Sequence, residues 1–311
     1  MRTIAAILCC ALIFQYHSTG YAQEQLLTIK TGSADGTYYK FGEDLRRLGS
    51  MHGFTVRVVP SEGSLENLQA IVQDEQVHLA IIQTDVIDWL TEKMINNPTA
   101  AKGLRDLKVK TRWLMPLYQE EVHLFARHEI RSLEDLQAKK VGAGSKRAGN
   151  FLTAGRLFET AGIDPQIVPL RFPEALRKLA QGEIDAVMIV GGAPVPFLEQ
   201  DVDRLLSRQG EERLRLLPIE NKKMQRHYSV VKLDPMIYSW LQEPVTTVAV
   251  KAALVTFDFA ADHAQCRVLG EFVKLIENQI GWLREYGHRK WRDVDPSYLF
   301  PAHFQRSSCL Q

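Results

Sequence analysis

"LTIKTGSADGTYYKFGEDLRRLG", Leu27 to Gly49, sets a short strand directly before a glycine-containing loop and a helix. Leu27, Ile29 and Thr31 alternate with Thr28, Lys30 and Gly32, whereas Phe41, Leu45 and Leu48 recur at helical spacing. The grammar continues. "FTVRVVP" (54–60) reads as a second strand, "SLENLQAIVQDE" (64–75) as a helix starting at Ser64, and "HLAIIQTD" (78–85) as a continuous apolar strand of the kind buried on both faces of a parallel sheet. Asp85 stands where the next helix, "VIDWLTEKMI" (86–95), would be capped. Alternating strands and helices imply right-handed crossovers and a parallel sheet covered on both sides.

After "RWLMPLYQEEVHLFARHE" (112–129) the order repeats. "SLEDLQAKK" (132–140) reads as a short capped helix, and "KVGAG" (140–144) as a strand into another glycine-serine loop. "NFLTAGRLFETAG" (150–162) is a helix ending at Gly162, followed by "QIVPLRF", the helix "PEALRKLAQG" and the buried strand "IDAVMIVGG". "VTTVAVKAALVTF" (245–257) reads as extended strands, and "DHAQCRVLGEFVKLIENQIGWLREYG" (262–287) as a helix. Extended segments at both Leu124 and Val250 predict that the chain crosses at least twice between two α/β lobes. The expected division is 23–122 with 250–311 in one lobe and 123–249 in the other, with hinge motion around a central cleft.

Of 311 residues, 45% are hydrophobic and 24% charged, and the formal net charge is +1. This is ordinary globular composition with enough chain for two domains. So balanced a charge gives no reason to expect nucleic acid as a partner. "MRTIAAILCCALIFQYHSTGYAQEQ" differs from the rest: Arg2, an apolar run from Ile4 to Phe14, and small residues before position 22. It reads as a secretory signal over residues 1–22, cleaved after Ala22, and places the mature chain in the periplasm. Two cysteines then remain, Cys266 and Cys309, which in an oxidising compartment are expected to join the C-terminal tail to the body.

Enzyme signatures fail one by one. Ser145 sits in "GAGSKRAG", which is no G-x-S-x-G elbow, and there is neither H-E-x-x-H nor a C-x-x-C in the mature chain. The histidines are scattered without a metal-like pair. "TGSADGTYY" places Thr37-Tyr38-Tyr39 where a phosphate-binding loop needs Lys and Ser/Thr, so the nucleotide reading is weak.

Four loops remain at the C-terminal ends of predicted strands, where open parallel α/β sheets bind ligands. They are "TGSADGTYY", "PSEGSLEN", "QTD" and "GAGSKRAGN". Each can aim backbone N–H groups and a helix N-terminus at a carboxylate. Tyr38 and Tyr39 add an aromatic wall.

In order along the chain, "TGSADGTYYKFG", "VPSEGSLENL", "LAIIQTDV", "GEIDAVMIVGGAPVP" and "VTTVAVKAALVT" resemble the TAXI-type solute-binding proteins that serve tripartite ATP-independent periplasmic (TRAP) transporters. That resemblance implies a type II-like periplasmic-binding-protein fold, with two α/β lobes around a central cleft with hinge strands. It also implies a small carboxylate-bearing ligand, an amino acid such as glutamate or a dicarboxylate, delivered to a TRAP-type membrane permease. It implies no catalytic activity, no metal and no obligatory cofactor. A membrane histidine kinase is the alternative partner, with the same module acting as a sensor, and a secreted hydrolase is the third class.

Carried over by position, the ligand-binding residues are Gly32, Ser33, Gly36, Thr37 and Tyr38 from the first loop and Ser61, Gly63, Ser64 and Asn67 from the second. Gln83 and Asp85 come from the third, Ser145 and Asn150 from the second-lobe loop, and Ala193 and Pro194 approach as a turn. For Asn67 and Asp85, helix capping or lobe packing competes with ligand contact. The chain departs from the family pattern at Asp35, Glu62, Lys146 and Arg147. These charges either match a zwitterionic ligand or sit on the rims and bridge the lobes on closure.

Overall fold

In the computed structural model the chain is described over residues 25–96, 102–200, 207–208, 211–212 and 214–310. The expected leader over residues 1–22 lies outside these residues. No helix among them is long and apolar enough to cross a membrane.

The first lobe is built as its sequence alternation requires. Strands β1 (Gln25–Lys30), β2 (Phe54–Val59) and β3 (Leu79–Gln83) pair in parallel in the order β2-β1-β3. Helices α1 (Thr37–Met51), α2 (Ser64–Gln73) and α3 (Asp85–Asn96) follow them in turn. Helix α1 lies close on the sheet because Gly42 has no side chain. A Cβ there would come within 2.8 Å of both Thr31 Cγ2 and Val58 Cγ1. After the short helix α4 (Lys102–Val109), the 17-residue strand β4 (Thr111–Arg127) leaves this lobe and runs into the second.

The second lobe repeats the pattern with β5 (Lys140–Gly142), α5 (Gly149–Ala161), β6 (Gln166–Val168), α6 (Phe172–Gln181), β7 (Ala186–Gly191) and α7 (Pro196–Gln200). Beyond the two-stranded β8 (Ser207–Arg208) and β9 (Glu211–Glu212), β10 (Leu214–Leu216) pairs with β4. Strand β11 (Ser229–Leu233) then pairs with the 13-residue β12 (Val245–Phe257), which carries the chain back to the first lobe. The continuous order is β2-β1-β3-β12-β4-β7-β5-β6, with β4 and β12 antiparallel at its centre. One apolar cluster gathers Leu27, Phe41, Leu117 and Leu254, and another gathers Leu124, Val141, Met188 and Val250. The two long strands therefore contribute to a core at each end and join the two lobes.

Three local expectations need correction. The "SLEDLQAKK" helix shrinks to a 3-10 turn, Glu134–Leu136, because the Asp135 carboxylate accepts from the N–H groups of Arg131 and Ser132 and so tightens the turn. "VTTVAVKAALVTF" is one strand. The last long helix is two, α8 (Ala264–Asn278) and α9 (Ile280–Tyr286), broken at Gln279.

The C-terminal segment is tied to the first lobe. Phe41 stacks on Trp291 with centroids 4.2 Å apart, and Asp44 Oδ2 accepts from Trp291 Nε1 at 2.9 Å. Cys266 on α8 is joined to Cys309, 43 residues later, with Cα atoms 4.7 Å apart. Closing a loop of that length in the unfolded chain corresponds to about 4 kcal/mol in the chain-entropy model. Replacing both cysteines by alanine should lower stability by about 2–4 kcal/mol in urea unfolding. An unchanged midpoint would show that the bond constrains nothing.

Candidate ligand-binding cleft

Where β4 crosses between lobes, the apolar strand is interrupted by Gln119-Glu120-Glu121, and the loops of both lobes converge on this point. They enclose an inner cavity of about 100 Å³, which shares Ser33, Glu62, Ala148, Asn150, Phe172 and Phe197 with an outer cavity of about 510 Å³. The first residues of α1, α2 and α5 all line the inner cavity, as do Phe172 and Phe197 near the starts of α6 and α7. Several positive helix ends thus face one small space, as oxyanion recognition requires.

Most of the residues expected from sequence meet here. Gly32, Ser33, Gly36, Thr37, Tyr38, Glu62, Gly63, Ser64, Gln83 and Asn150 line the inner cavity, and Asp35, Ser61 and Ser145 line the outer one. Six others stand outside both. Asn67 is fully buried, and its Nδ2 donates to Thr31 O at 2.5 Å and Ile81 O at 2.7 Å, which clamps the ends of β1 and β3 together. Asp85 is the first residue of α3, and its carboxylate does not cap the helix. Instead it accepts from Thr153 Oγ1 at 2.7 Å and from the Tyr228 hydroxyl at 3.4 Å, both in the other lobe. Lys146 and Arg147 are exposed, and Arg147 lies 3.9 Å from Glu66. In the turn after β7, the Ala193 N–H donates to Glu121 Oε2 at 2.7 Å, and its neighbours Gly191 and Val195 line the cavity in place of Ala193 and Pro194.

The lobes touch at several points around the cleft. Gln83 Nε2 donates to Asn150 Oδ1 at 3.1 Å, Thr37 Oγ1 to Gly192 O at 3.2 Å, and the Glu66 N–H to Arg147 O at 3.2 Å. Glu62 accepts from Ser145 Oγ at 2.7 Å and from Arg171 at 3.0 Å, and these two donors hold its carboxyl below the usual range. Leu152 of α5 packs into the apolar cluster of Leu68, Ile87 and Leu90 in the opposite lobe. The approach is close enough to exclude a side chain at Gly149, where a Cβ would fall 1.8 Å from Gln83 Oε1 and 2.7 Å from Ser64 Oγ.

Sequence reasoning missed Glu120, Arg171, Phe172 and Phe197. Glu120 had a visible signal, since consecutive polar residues in the middle of a long apolar strand are costly unless they face a cavity or a partner. Its side chain is only 3% exposed and accepts from the Tyr38 hydroxyl at 2.7 Å. Burial raises both groups well above their ordinary pKa values. Next to it, Glu121 accepts from Lys290 Nζ at 2.5 Å. His123, two residues on, is fully buried against the Tyr238 hydroxyl, and burial lowers its pKa to about 4, so it stands as a neutral structural ring.

Two measurements follow from this closure. Gly149→Ala should hold the lobes apart, giving a larger radius of gyration in small-angle scattering and weaker ligand binding. Adding Gln83→Ala and Ser64→Ala together removes both clashing groups and should restore closure, and failure of that rescue would show that the contact at Gly149 does not control it. The second measurement concerns Asp85, whose pKa burial raises to about 6. A raised value means that the closed form takes up a proton. Closure through this group is therefore weakest above pH 6 and strengthens as pH falls towards 4. Ligand affinity should rise about tenfold from pH 8 to pH 5 through Asp85, and Asp85→Asn should remove that portion of the pH dependence. An unaltered pH profile in the variant would dismiss the assignment.

Comparison with known proteins agrees with this architecture. A histidine kinase sensor domain with similarity to periplasmic binding proteins superposes with a TM-score of 0.50 at 17% identity, covering 87% of this chain and 97% of its own. An ancestral arginine-binding protein bound to arginine gives 0.51 at 11% identity, covering 86% and 98%. A putative L-cystine ABC transporter protein from Listeria monocytogenes gives 0.50 at 11% identity, covering 88% and 100%. At such identities the likeness concerns the fold, which is that of the two-lobed, type II-like periplasmic binding proteins. No curated protein sequence matches the chain. The model of the NMT1-like family matches residues 29–264, and the chain belongs to the NMT1-like family.

Proposed function

We propose that this chain is an exported, non-enzymatic solute receptor that closes its two lobes around a small carboxylate-bearing molecule and presents the closed form to a membrane partner. The observation that carries this reading is the convergence of helix N-termini from both lobes on one cavity at the hinge. Such ends donate unpaired N–H groups and a positive dipole to a carboxylate without needing a buried cation. A ligand that touches both lobes stabilises the closed state over the open one by its differential affinity for the two.

The resemblance of the first loop, with its paired tyrosines, and of "GGAPVP" to TAXI-type proteins favours a TRAP-type permease as the partner. The fold shared with a histidine kinase sensor domain supports the second reading, in which the closed lobes signal to a kinase. Both readings keep the same cleft and differ only in what recognises the closed surface.

Native mass spectrometry of the purified protein, followed by thermal-shift screening of amino acids, dicarboxylates and keto acids, tests the receptor reading. A stoichiometric small ligand that raises the melting temperature and compacts the protein is expected. Tyr38→Ala should weaken that ligand roughly ten- to a hundredfold while the chain stays folded, since the ring forms a wall and its hydroxyl holds Glu120. Turnover of the bound compound would replace the receptor reading with an enzymatic one.

A further inference from the structure

The inner cavity contains a buried carboxylate but no cation of its own. Among the described residues that line it, the charged side chains are Glu120 and Glu62. Glu62 stands at the mouth and is paired with Arg171. Glu120 lies deep where the lobes join, and among the described residues the hydrogen bond it accepts comes from the Tyr38 hydroxyl, whereas a carboxylate can accept about four. The neighbouring cation, Lys290, is already engaged with Glu121 at 2.5 Å and Asp293 at 2.7 Å. Burial favours the neutral acid here, so a positive group seated on Glu120 would draw it into the ionised form and gain the full charge pair.

The surroundings indicate where such a charge would come from. The outer cavity that leads inward is lined by Asp35, Glu62 and Glu66, with Glu62 paired to Arg171 and Glu66 to Lys30 at 2.9 Å and to Arg147 at 3.9 Å. Opposite the polar side formed by Thr37, Ser64, Gln83 and Asn150, one wall is apolar. Phe172 and Phe197 stack with centroids 6.0 Å apart, and Ile189 and Val195 complete that side. The inner space of about 100 Å³ is smaller than the roughly 150 Å³ that admits a benzene ring, so it holds a head group of few heavy atoms.

We infer that the ligand of this cleft carries a protonated amine seated on Glu120, with a short apolar body against Phe172 and Phe197. This inference rests on the receptor reading above and narrows it. The carboxylate that the helix N-termini favour belongs to a zwitterion, and dicarboxylates are rejected because their second acid would meet Glu120 without an intervening cation. Glu120 is thus the specificity-determining residue, and Tyr38 positions it.

Isothermal titration of the purified chain with four matched probes tests this inference. The probes are L-valine, isobutylamine (valine without its carboxylate), isovalerate (valine without its amine) and succinate. L-valine should bind at least about tenfold more tightly than isovalerate or succinate, with isobutylamine retaining measurable affinity. Glu120→Gln keeps the acceptor for Tyr38 but removes the charge. It should weaken L-valine roughly ten- to a hundredfold and leave isovalerate unchanged or tighter. Succinate or isovalerate binding as tightly as L-valine overturns the inference, as does a folded Glu120→Gln variant with unaltered affinity for L-valine. Should that variant fail to fold, the ranking of the four probes on the wild-type chain decides alone. A wild-type chain that binds none of the four overturns this inference alone, because the receptor reading fails only if native mass spectrometry and the wider thermal-shift screen find no ligand either.

Discussion

The buried pair of Glu121 and Lys290 is the contact around which the two lobes are arranged. Glu121 lies at the midpoint of β4, where the strand passes from one core to the other, and neither residue is more than a few per cent exposed. A lone carboxylate there would cost several kcal/mol, and a salt bridge offsets this only if the remaining lone pairs and protons are also satisfied. Here they are. Glu121 also accepts from the Ala193 N–H, and Lys290 also donates to Asp293. Lys290 belongs to the C-terminal segment that follows α9, and Ala193 to the turn after β7. The pair therefore ties the end of the chain and the second lobe to the same point on the hinge strand. The stacking of Phe41 on Trp291 and the Cys266–Cys309 link explain why the C-terminal segment is stiff enough to deliver that lysine.

With one acid neutralised by Lys290, its neighbour Glu120 is left to face the cleft. Successive strand residues point to opposite faces, so a Glu-Glu dipeptide at the hinge serves two different spaces. One is a structural ion pair and the other a cavity wall. Burial raises the pKa of both carboxyls, but Lys290 opposes the rise directly at Glu121, whereas at Glu120 the principal opposing contact is the Tyr38 hydroxyl. Helix ends provide positive potential at the loops, and Glu120 provides negative potential at the floor. A molecule of mixed charge fits that gradient better than a symmetrical diacid.

Much of the architecture was legible in the sequence because it depends on periodicity and glycine placement. The Leu27 to Gly49 stretch, the all-apolar β3 and the glycine loops before α1 and α5 are local features with local causes. The pocket loops were legible for the same reason, since each follows directly from the end of a strand. What escaped was set by contacts distant in sequence. For Asn67 in α2 and Asp85 at the start of α3, packing and ligand contact were both open from sequence; Asn67 is turned inward by the carbonyls of Thr31 and Ile81, and Asp85 by Thr153 and Tyr228 across the cleft. Phe172 and Phe197 look like ordinary core aromatics until α6 and α7 bring them to one wall. The charged loop of Lys146 and Arg147 had two open readings; both side chains are exposed, and Arg147 lies 3.9 Å from Glu66.

The contacts between the lobes also indicate how closure is balanced. Exposed rim pairs such as Arg171–Glu62 and Arg147–Glu66 are each worth about 0–1 kcal/mol. The Leu152 side chain contributes at most about 1.5–3 kcal/mol when fully buried against the other lobe. Against these stands Asp85, held in a buried site that favours its neutral form. Individual gains and costs of this size are of the order that a bound ligand can outweigh. A receptor needs that balance, because a ligand can shift the equilibrium only by its differential affinity for the two forms. A few hydrogen bonds and one charge pair in the cavity are then enough to decide which form prevails.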